Sequence, residues 1–318
     1  MHKILGPLVS TLALAALTLP GVAQDMRSVT DHANYTVEIP VDPQRIVSLH
    51  DWTATVMTYE LGGNLIGSSG RLDNEGNYFV RSGRELYDLG FDQIEMASVH
   101  GELDMERIAA LKPDLIIGNL GDTIEFRDQL AAIAPTVIFD PMNGQPPLAN
   151  YRTLADWVAR PERFDELNAE YETRIDEVRA ELFGDRPAPS YAAILPNTES
   201  GELRVFRNYG ALTTVLEDLG FTHASIMDQV PETEQEANFS AEVIAQVDSD
   251  YAFLTHISDR GESLETIMTE FDQIAPGYRE LLPAAKNGRF ISMSRFHVYP
   301  TTFAAMNYVL DELVATLK

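Results

Sequence analysis

The chain has 318 residues, and its 49 aspartates and glutamates outnumber 23 lysines and arginines, giving a formal net charge of −26 at pH 7. Such an excess of negative charge excludes nucleic acid and anionic membrane surfaces as the principal partners. The chain contains no cysteine, which excludes disulfide bonds and thiolate metal sites.

The first 23 residues have the pattern of a secretory signal peptide. His2 and Lys3 precede an apolar run over residues 4–19, and small residues then lead to Ala23. A membrane anchor is the alternative, but the run is short for a bilayer and is interrupted by glycine and proline. We therefore expect a signal peptide over residues 1–23, cleavage after Ala23, and a periplasmic protein without a lipid anchor, since no cysteine follows.

Residues 24–150 alternate strand-like and helix-like patterns, which predicts an N-terminal α/β lobe. A polar loop over residues 68–84 follows the second buried strand. The predicted strands cover residues 36–40, 43–49, 65–67, 115–117 and 136–139, and the predicted helices cover residues 54–61, 103–111 and 123–133.

The longest uninterrupted helical pattern covers residues 161–183. It begins at Pro161, which suits a first helical turn, and ends before Gly184. Its apolar residues recur at gaps of three and four and share one face: Phe164, Leu167, Tyr171, Ile175, Val178 and Leu182. We interpret residues 151–187 as a rigid helical connection between two lobes. The alternative is one long helix packed on the surface of a single domain.

Residues 188–318 repeat the α/β theme and predict a C-terminal lobe. The predicted strands cover residues 191–195, 203–206, 251–254 and 289–293, and the predicted helices cover residues 210–219, 240–247, 264–282 and 301–317. The fold class expected is therefore α/β, with two parallel-sheet lobes joined by a single long helix and a ligand cleft between the lobes.

Polar and aromatic residues collect directly after the predicted strands, where open parallel sheets bind their ligands. Taken singly, each of them is better explained as a solvated or capping side chain. As a set in a chain poor in positive charge, they predict a cleft for an anionic or oxygen-rich ligand with an apolar body. The candidate ligand-binding residues are His50, Trp52, Arg71, Arg207, Tyr209, Arg295, His297 and Tyr299.

Motifs of enzymes are missing from the sequence. It has no glycine-rich phosphate loop, no GxSxG elbow and no zinc-protease helix motif, so we expect no catalytic residue and no cofactor. A direct metal site is the alternative, because His50, His100, His256 and His297 fall near predicted loops. However, no two histidines have the spacing of metal ligands on a helix.

Several segments resemble the substrate-binding proteins of ABC importers for ferric siderophores and cobalamin. They are PQRIVSLH, ELGGNLIGSSGR, MERIAALKPDLIIG, LAAIAPTVIFD, RVFRNYGALTTVLEDLGF and SAEVIAQVDSDYAFL, and the closing stretch GRFISMSRFHVYPTTFAAMNYVLDEL is most similar to ferric hydroxamate-binding members. The resemblance implies two lobes joined by one long helix and only small closure on binding. It also implies capture of a ferric siderophore, delivery to inner-membrane ABC permease subunits, and a monomer.

The resemblance adds His100 to the candidate ligand-binding residues, at a position where hydroxamate binders have an iron-chelate-binding arginine. The family's tyrosine after the LIIG-like strand has no counterpart in residues 119–122. Arg71 and Arg207 are candidates to replace the missing arginine, because planar guanidinium donors engage paired oxygens. Tyr299 matches the aromatic end of the family's cleft. The siderophore, rather than a protein side chain, is expected to hold the iron.

Two glutamates are candidates for contact with the importer. Glu106 and Glu242 each lie in the first turn of a predicted helix, one in each half of the chain. An acidic residue at this position is favoured by the helix dipole alone, so neither glutamate needs a partner. The resemblance implies that they bind arginines on the two permease subunits.

Other functions remain open from the sequence. Within the same importer class, cobalamin, haem or a bare metal ion is an alternative ligand. In a different class, a secreted two-lobed metal-assisted hydrolase remains as a less favoured hypothesis.

Overall fold

The computed structural model describes residues 24–318, and the predicted signal peptide lies outside the described residues. The N-terminal part consists of a two-stranded hairpin and a six-stranded sheet with flanking helices. Its strands are β1 (Met26–Thr30), β2 (Thr36–Pro40), β3 (Ile46–Ser48), β4 (Leu65–Leu72), β5 (Tyr78–Phe79), β6 (Glu95–Val99), β7 (Leu115–Asn119) and β8 (Thr136–Phe139). Its helices are α1 (Ala54–Glu60), α2 (Gly83–Tyr87), α3 (Met105–Ala110), α4 (Arg127–Ala131) and α5 (Pro147–Trp157).

The N-terminal sheet has the order β5-β4-β3-β7-β8, with β6 also paired to β4. The neighbours pair in parallel except β4 and β5, so the carboxyl ends of β3, β4, β6, β7 and β8 point to one edge. The predicted end of β4 at Gly67 is wrong, because Ser69 and Gly70 continue the ladder and pair with Ser98 and Val99. Arg71 therefore lies on a strand, held in a fixed position, rather than in a loop.

The C-terminal part contains a second six-stranded sheet, with the order β12-β10-β9-β13-β14 and β11 paired to β9. Its strands are β9 (Ser190–Asn197), β10 (Glu202–Phe206), β11 (Thr222–His223), β12 (Glu236–Ser240), β13 (Tyr251–His256) and β14 (Phe290–Ser294). The pairing of β11, β9, β13 and β14 is parallel, whereas β10 and β12 are antiparallel to their neighbours. This sheet is mixed because the short connection between β9 and β10 permits only a hairpin.

Helix α6 (Pro161–Leu182) follows α5 and connects the two parts of the chain. It buries one face, which carries Phe164, Tyr171, Ile175, Val178 and Leu182. The remaining helices are α7 (Gly210–Asp218), α8 (Leu264–Ile274), α9 (Tyr278–Leu281), α10 (Pro283–Lys286), α11 (Arg295–Val298) and α12 (Phe303–Leu317). The predicted α/β fold of two lobes and one long helix is confirmed.

The hydrophobic core is continuous between the lobes. Tyr151 of α5, Phe164 of α6 and Phe303 of α12 contact one another with ring centroids 5.4 Å apart in each pair. The carboxylate of Glu60, at the end of α1, accepts hydrogen bonds from the backbone N–H groups of Phe303 and Ala304 at 2.8 and 2.7 Å. The first turn of α12 is thus fixed to the N-terminal lobe by a charge-assisted contact.

Replacing Glu60 is expected to destabilise this junction. Its carboxylate also accepts hydrogen bonds from the hydroxyls of Tyr87 and Tyr151 at 2.9 and 2.6 Å. Glu60→Gln leaves one acceptor oxygen for these donors and adds an amide N–H group, so we expect a loss of about 2–3 kcal/mol in the free energy of unfolding. Urea denaturation measures this loss. Glu38→Gln, at an exposed position of β2, is the control, and equal stability of the two variants would contradict the proposed role of Glu60.

Candidate functional site

The segment between β3 and α1 extends into the space between the lobes. It carries His50, Asp51 and Trp52, which follow the carboxyl end of β3. The indole of Trp52 stacks on the ring of Tyr299 from the other lobe, with centroids 3.7 Å apart and planes at 25°. The two lobes therefore contact each other through an aromatic pair in the cleft.

Tyr299 is held rigidly at the end of α11. Its hydroxyl donates a hydrogen bond to Oε1 of Gln235 at 2.9 Å. Gly210 has a φ of +53°, and a Cβ atom there would lie 1.6 Å from the carbonyl oxygen of Tyr299, so the close approach requires glycine. Burial and then the neighbouring Tyr209 raise the pKa of Tyr299 to about 12, so this phenol is neutral at physiological pH.

Three arginines surround Trp52, and we name Arg71, Arg81 and Arg295 the arginine cluster. Their guanidinium carbons lie 5.8, 3.8 and 5.1 Å from the centroid of the Trp52 ring, respectively. All three line a cavity of about 150 Å³ between the lobes. Guanidinium groups stack favourably on an indole face, which is one reason why like charges gather here.

The rim of this cavity is closed by contacts between the lobes. Arg84 of α2 forms an ion pair with Asp259 of the C-terminal lobe. The side-chain amide of Asn74 donates a hydrogen bond to the carbonyl oxygen of Asp259 at 3.0 Å. The cavity volume is smaller than that of typical ligand pockets, about 300–1,000 Å³, so we expect the rim contacts to separate when a ligand that fills a typical pocket binds.

Asp51 is the acidic partner of the arginine cluster. Its side chain is fully buried, with Nε of Arg71 3.0 Å and Nδ1 of His100 3.3 Å from its carboxylate oxygens. Burial by itself would raise the pKa of Asp51, but the contact with His100 and the charge of Arg71 outweigh it and hold this pKa below its usual value. Asp51 thus remains ionised and balances one of the three arginines.

Arg81 and Arg295 have no such balance. Within residues 24–318, neither forms an ion pair, and the buried Nε atom of each has no hydrogen-bond partner. Burial, followed by the charge of Arg71, lowers the pKa of Arg81 to about 10, so it still carries its charge at neutral pH. Buried donors without acceptors are costly in a folded protein. The cluster is therefore complementary to an anion.

Two histidines lie behind the cluster. The ring of His100 lies between two carboxylates, with Nε2 3.2 Å from Asp122 and Nδ1 facing Asp51. His50 lies nearby, with ring centroids 6.1 Å apart, and its Nδ1 atom is 2.5 Å from Oγ1 of Thr53. His100 thus contacts the carboxylate that pairs with Arg71, and neither histidine lines the cavity of the arginine cluster.

The stability of the protein is expected to depend on the protonation of His50. Burial lowers its pKa from 6.5 to about 4. The unfolded chain therefore binds a proton more readily than the folded one, and acidification from pH 7.5 to pH 5 removes about 2 kcal/mol through this group. His50→Gln should lose less stability over this range than the wild type when urea denaturation is measured at both pH values. Equal losses would show that His50 does not titrate in this way.

Three of the predicted ligand-binding residues lie elsewhere. Arg207 donates a hydrogen bond to the carbonyl oxygen of Val230 at 3.2 Å and lines a separate cavity of about 670 Å³, whose lining includes none of the arginine cluster. Tyr209 is 1% exposed and packs behind Tyr299, so its ring does not line the cavity of the arginine cluster. His297 stacks on Tyr308 of α12, with centroids 4.5 Å apart, and does not line the cavity of the arginine cluster.

Arg81 is the member of the site that sequence reasoning missed. It lies between β5 and α2, within the segment expected to be a polar loop. The sequence offers one indication of its role. Arg81 is a basic residue close to the aromatic residues Tyr78, Phe79 and Tyr87, in a chain with only 23 lysines and arginines. Nothing in the linear sequence brings it to Trp52, which lies about thirty residues earlier, because only the folding of the segment over β4 does so.

The two candidate docking glutamates are exposed. Glu106 lies in the first turn of α3, which Asp104 caps by accepting a hydrogen bond from the backbone N–H of Arg107 at 2.9 Å. Glu242 lies in a 3-10 turn, Ala241–Gln246, which the side chain of Ser240 caps. Neither glutamate caps its own turn, and both residues are exposed to solvent.

The described part of the chain has neither a metal-binding cluster nor a membrane-spanning helix. Over residues 24–318, no three histidine or carboxylate side chains converge as a metal site requires. In the same range no helix combines the length and hydrophobicity needed to span a bilayer.

Comparison with known protein families identifies the family to which the chain belongs. A sequence profile described as "Periplasmic binding protein" matches residues 80–295. The protein belongs to this family. The match begins next to Arg81 and ends at Arg295, so it includes both arginines that lack an acidic partner.

Individual relatives agree with this membership. The probable siderophore-binding lipoprotein YfiY of Bacillus subtilis (strain 168) is 27% identical over 305 residues, covering 92% of this chain and 88% of the relative. The iron(3+)-hydroxamate-binding protein YxeB of the same strain is 26% identical over 232 residues, covering 71% of this chain and 66% of the relative. Staphylococcus aureus SirA, in a crystal structure with staphyloferrin B, has a TM-score of 0.73 at 18% identity, covering 92% of this chain and 98% of that one. This last likeness concerns the fold.

Proposed function

We propose that this protein captures a ferric siderophore in the cleft between its lobes and delivers it to an inner-membrane ABC importer. The observation that carries the proposal is the arginine cluster around the Trp52–Tyr299 pair, where two half-buried arginines have a buried Nε atom without a hydrogen-bond partner and no acidic partner among the described residues. A siderophore complex presents oxygen atoms around a metal and an apolar body, which suits guanidinium donors beside aromatic rings. The proposal is supported by the names of YfiY, a probable siderophore-binding lipoprotein, and YxeB, an iron(3+)-hydroxamate-binding protein.

The ligand contacts proposed are Trp52, Arg71, Arg81, Arg295 and Tyr299. His50, His100 and Asp51 support them, while Arg207 is assigned to the edge of the neighbouring cavity. The boundaries proposed are 24–150 for the N-terminal lobe, 151–187 for the connecting helix and 188–318 for the C-terminal lobe. The protein is proposed to act without catalysis and without a cofactor, as a monomer.

The location proposed is the periplasm, after removal of residues 1–23. The chain lacks a cysteine, so the thioether-linked lipid anchor of bacterial lipoproteins has no attachment site in this sequence, in contrast to YfiY, which is named as a lipoprotein. Intact mass spectrometry of the exported protein tests this location. A mass that includes residues 1–23 or an acyl chain would contradict it.

Tryptophan fluorescence tests the ligand. The chain has two tryptophans, of which Trp157 is buried in the core at 2% exposure, so quenching in the cleft reports on Trp52. We expect saturable quenching by at least one ferric siderophore and none by its iron-free form at equal concentration. Tight binding of cobalamin, haem or a bare metal ion, without binding of a siderophore, would identify that molecule as the ligand. Conversion of a candidate ligand into a product would contradict a binding function.

A further inference from the structure

The charge of the arginine cluster differs in sign from that of the chain as a whole. Arg71, Arg81 and Arg295 bring three guanidinium groups to one indole ring, and Asp51 is the acidic residue that forms an ion pair with one of them. The same cavity is also lined by Arg260, Asp73 and Asp259. The two aspartates form ion pairs with Arg84 and not with the three arginines. The rest of the chain is strongly acidic, with a net charge of −26, so this local excess of positive charge is the reverse of the overall composition. Like charges repel more strongly as water is excluded, and a bound anion relieves that repulsion.

We propose that the siderophore taken by this site is one whose ferric complex carries a net negative charge, with paired carboxylate or catecholate oxygens exposed at its surface. The inference rests on the proposed siderophore function and names its ligand class. The closing stretch of the chain resembles hydroxamate-binding members in sequence. The inference about ligand charge rests instead on the side chains that meet in the cleft.

Neutral complexes fit the site poorly. A ferric trishydroxamate is neutral, because the charges of its three hydroxamate groups balance those of Fe³⁺. Such a ligand would separate the unpaired guanidinium groups of Arg81 and Arg295 from water without compensating their charge, which is unfavourable. An anionic complex supplies the missing acceptors, and planar guanidinium groups bind paired oxygens with two parallel hydrogen bonds.

The positions of Arg81 and Arg295 favour the same class of anionic ligand. The side chain of Arg71 is already engaged by Asp51, whereas Arg81 and Arg295 lie on either side of the cleft, one in each lobe, and line one cavity. An anion between them would contact both lobes at once. The same complex would therefore hold the lobes together and gain affinity from two guanidinium groups.

A panel of ferric complexes that differ in net charge tests the inference. Quenching of Trp52 is titrated with ferric citrate and ferric enterobactin as anions, ferrichrome as the neutral complex and ferrioxamine B as the cation, all at one ionic strength. We expect at least one anion to bind 100-fold or more tightly than ferrichrome, and the tighter anion identifies carboxylate or catecholate as the source of the oxygens. Ferrichrome or ferrioxamine B binding as tightly as both anions would overturn the inference and leave the siderophore function standing. Failure of all four to bind would contradict the siderophore function itself.

A matched pair of variants separates charge from shape. Arg81→Gln removes the positive charge and shortens the side chain. Arg81→Lys retains the positive charge but replaces the planar guanidinium group by an ammonium group. We expect Arg81→Gln to reduce the preference for the anion over ferrichrome by tenfold or more, and Arg81→Lys to retain most of it. Arg207→Gln, which removes the same charge outside the cluster, is the control and should leave the preference unchanged. Equal preference in the Arg81→Gln and Arg81→Lys variants would show that charge at this position does not select the ligand.

Discussion

Arg81→Ala and Arg295→Ala are each expected to weaken ferric siderophore binding by about 2–4 kcal/mol, or roughly 30- to 1,000-fold in Kd. Each substitution removes a half-buried cation that lines the cavity, so the desolvated anion loses a charged partner. The stability of the free protein should change little, because neither arginine forms an ion pair with any residue in 24–318. Titration of Trp52 fluorescence measures the affinity, and thermal unfolding measures the stability.

Arg207→Ala is the comparison for these two variants. Arg207 is anchored to Val230 and Glu232 and lines the larger cavity, so we expect Arg207→Ala to cause only a small loss of affinity. A greater loss for Arg207→Ala than for Arg81→Ala would place the ligand in the cavity of about 670 Å³ instead. Wild-type affinity in both Arg81→Ala and Arg295→Ala would contradict the proposed site.

Replacing Glu106 and Glu242 together by lysine is expected to abolish uptake in cells that also contain the importer, while the purified variant binds its ligand normally. Both carboxylates are exposed, and neither has a hydrogen bond or ion pair with the described residues. Exposed charges at an interface act mainly on orientation and association rate, so their reversal opposes docking without disturbing the cleft. Uptake of radiolabelled ferric siderophore and fluorescence titration together measure the two effects.

The control for this variant must carry the same change in charge. Glu170 and Glu177 of α6 are exposed, and Glu170→Lys with Glu177→Lys raises the net charge by the same amount on a different surface. Full uptake by the Glu106/Glu242 variant, or equal loss in the control, would identify these glutamates as ordinary acids of a first helical turn.

The rigidity of the junction bears on how the ligand enters. The aromatic contacts of Tyr151, Phe164 and Phe303 and the hydrogen bonds of Glu60 fix α12 to the N-terminal lobe at the base of the cleft. The Arg84–Asp259 ion pair at the rim is exposed and therefore weak. The cleft is thus expected to open at its rim while the base stays packed, which agrees with the small closure that a helical connection permits.

The class of fold and the long helix could be predicted from the amino-acid sequence alone. The alternation of apolar runs with helical periodicity predicts parallel crossover units, and the spacing of Phe164, Tyr171 and Ile175 predicts the buried face of α6. These features are local and periodic, so burial of one face accounts for them without knowledge of distant contacts. The candidates Trp52, Arg295 and Tyr299 followed from the rule that ligands bind beyond the carboxyl ends of strands, and the structure brings all three together.

Which charged residues share the cleft depends on the three-dimensional packing of the chain. Arg81 joins the arginine cluster because β5 folds back on β4, whereas Arg207, a residue of the same type at an equally suitable strand end, is drawn to Val230 and away from Trp52. Tyr209 became part of the core because α7 packs against the backbone of Tyr299 at Gly210. Such assignments depend on contacts between residues far apart in the chain, and no local pattern of charge or hydrophobicity encodes them.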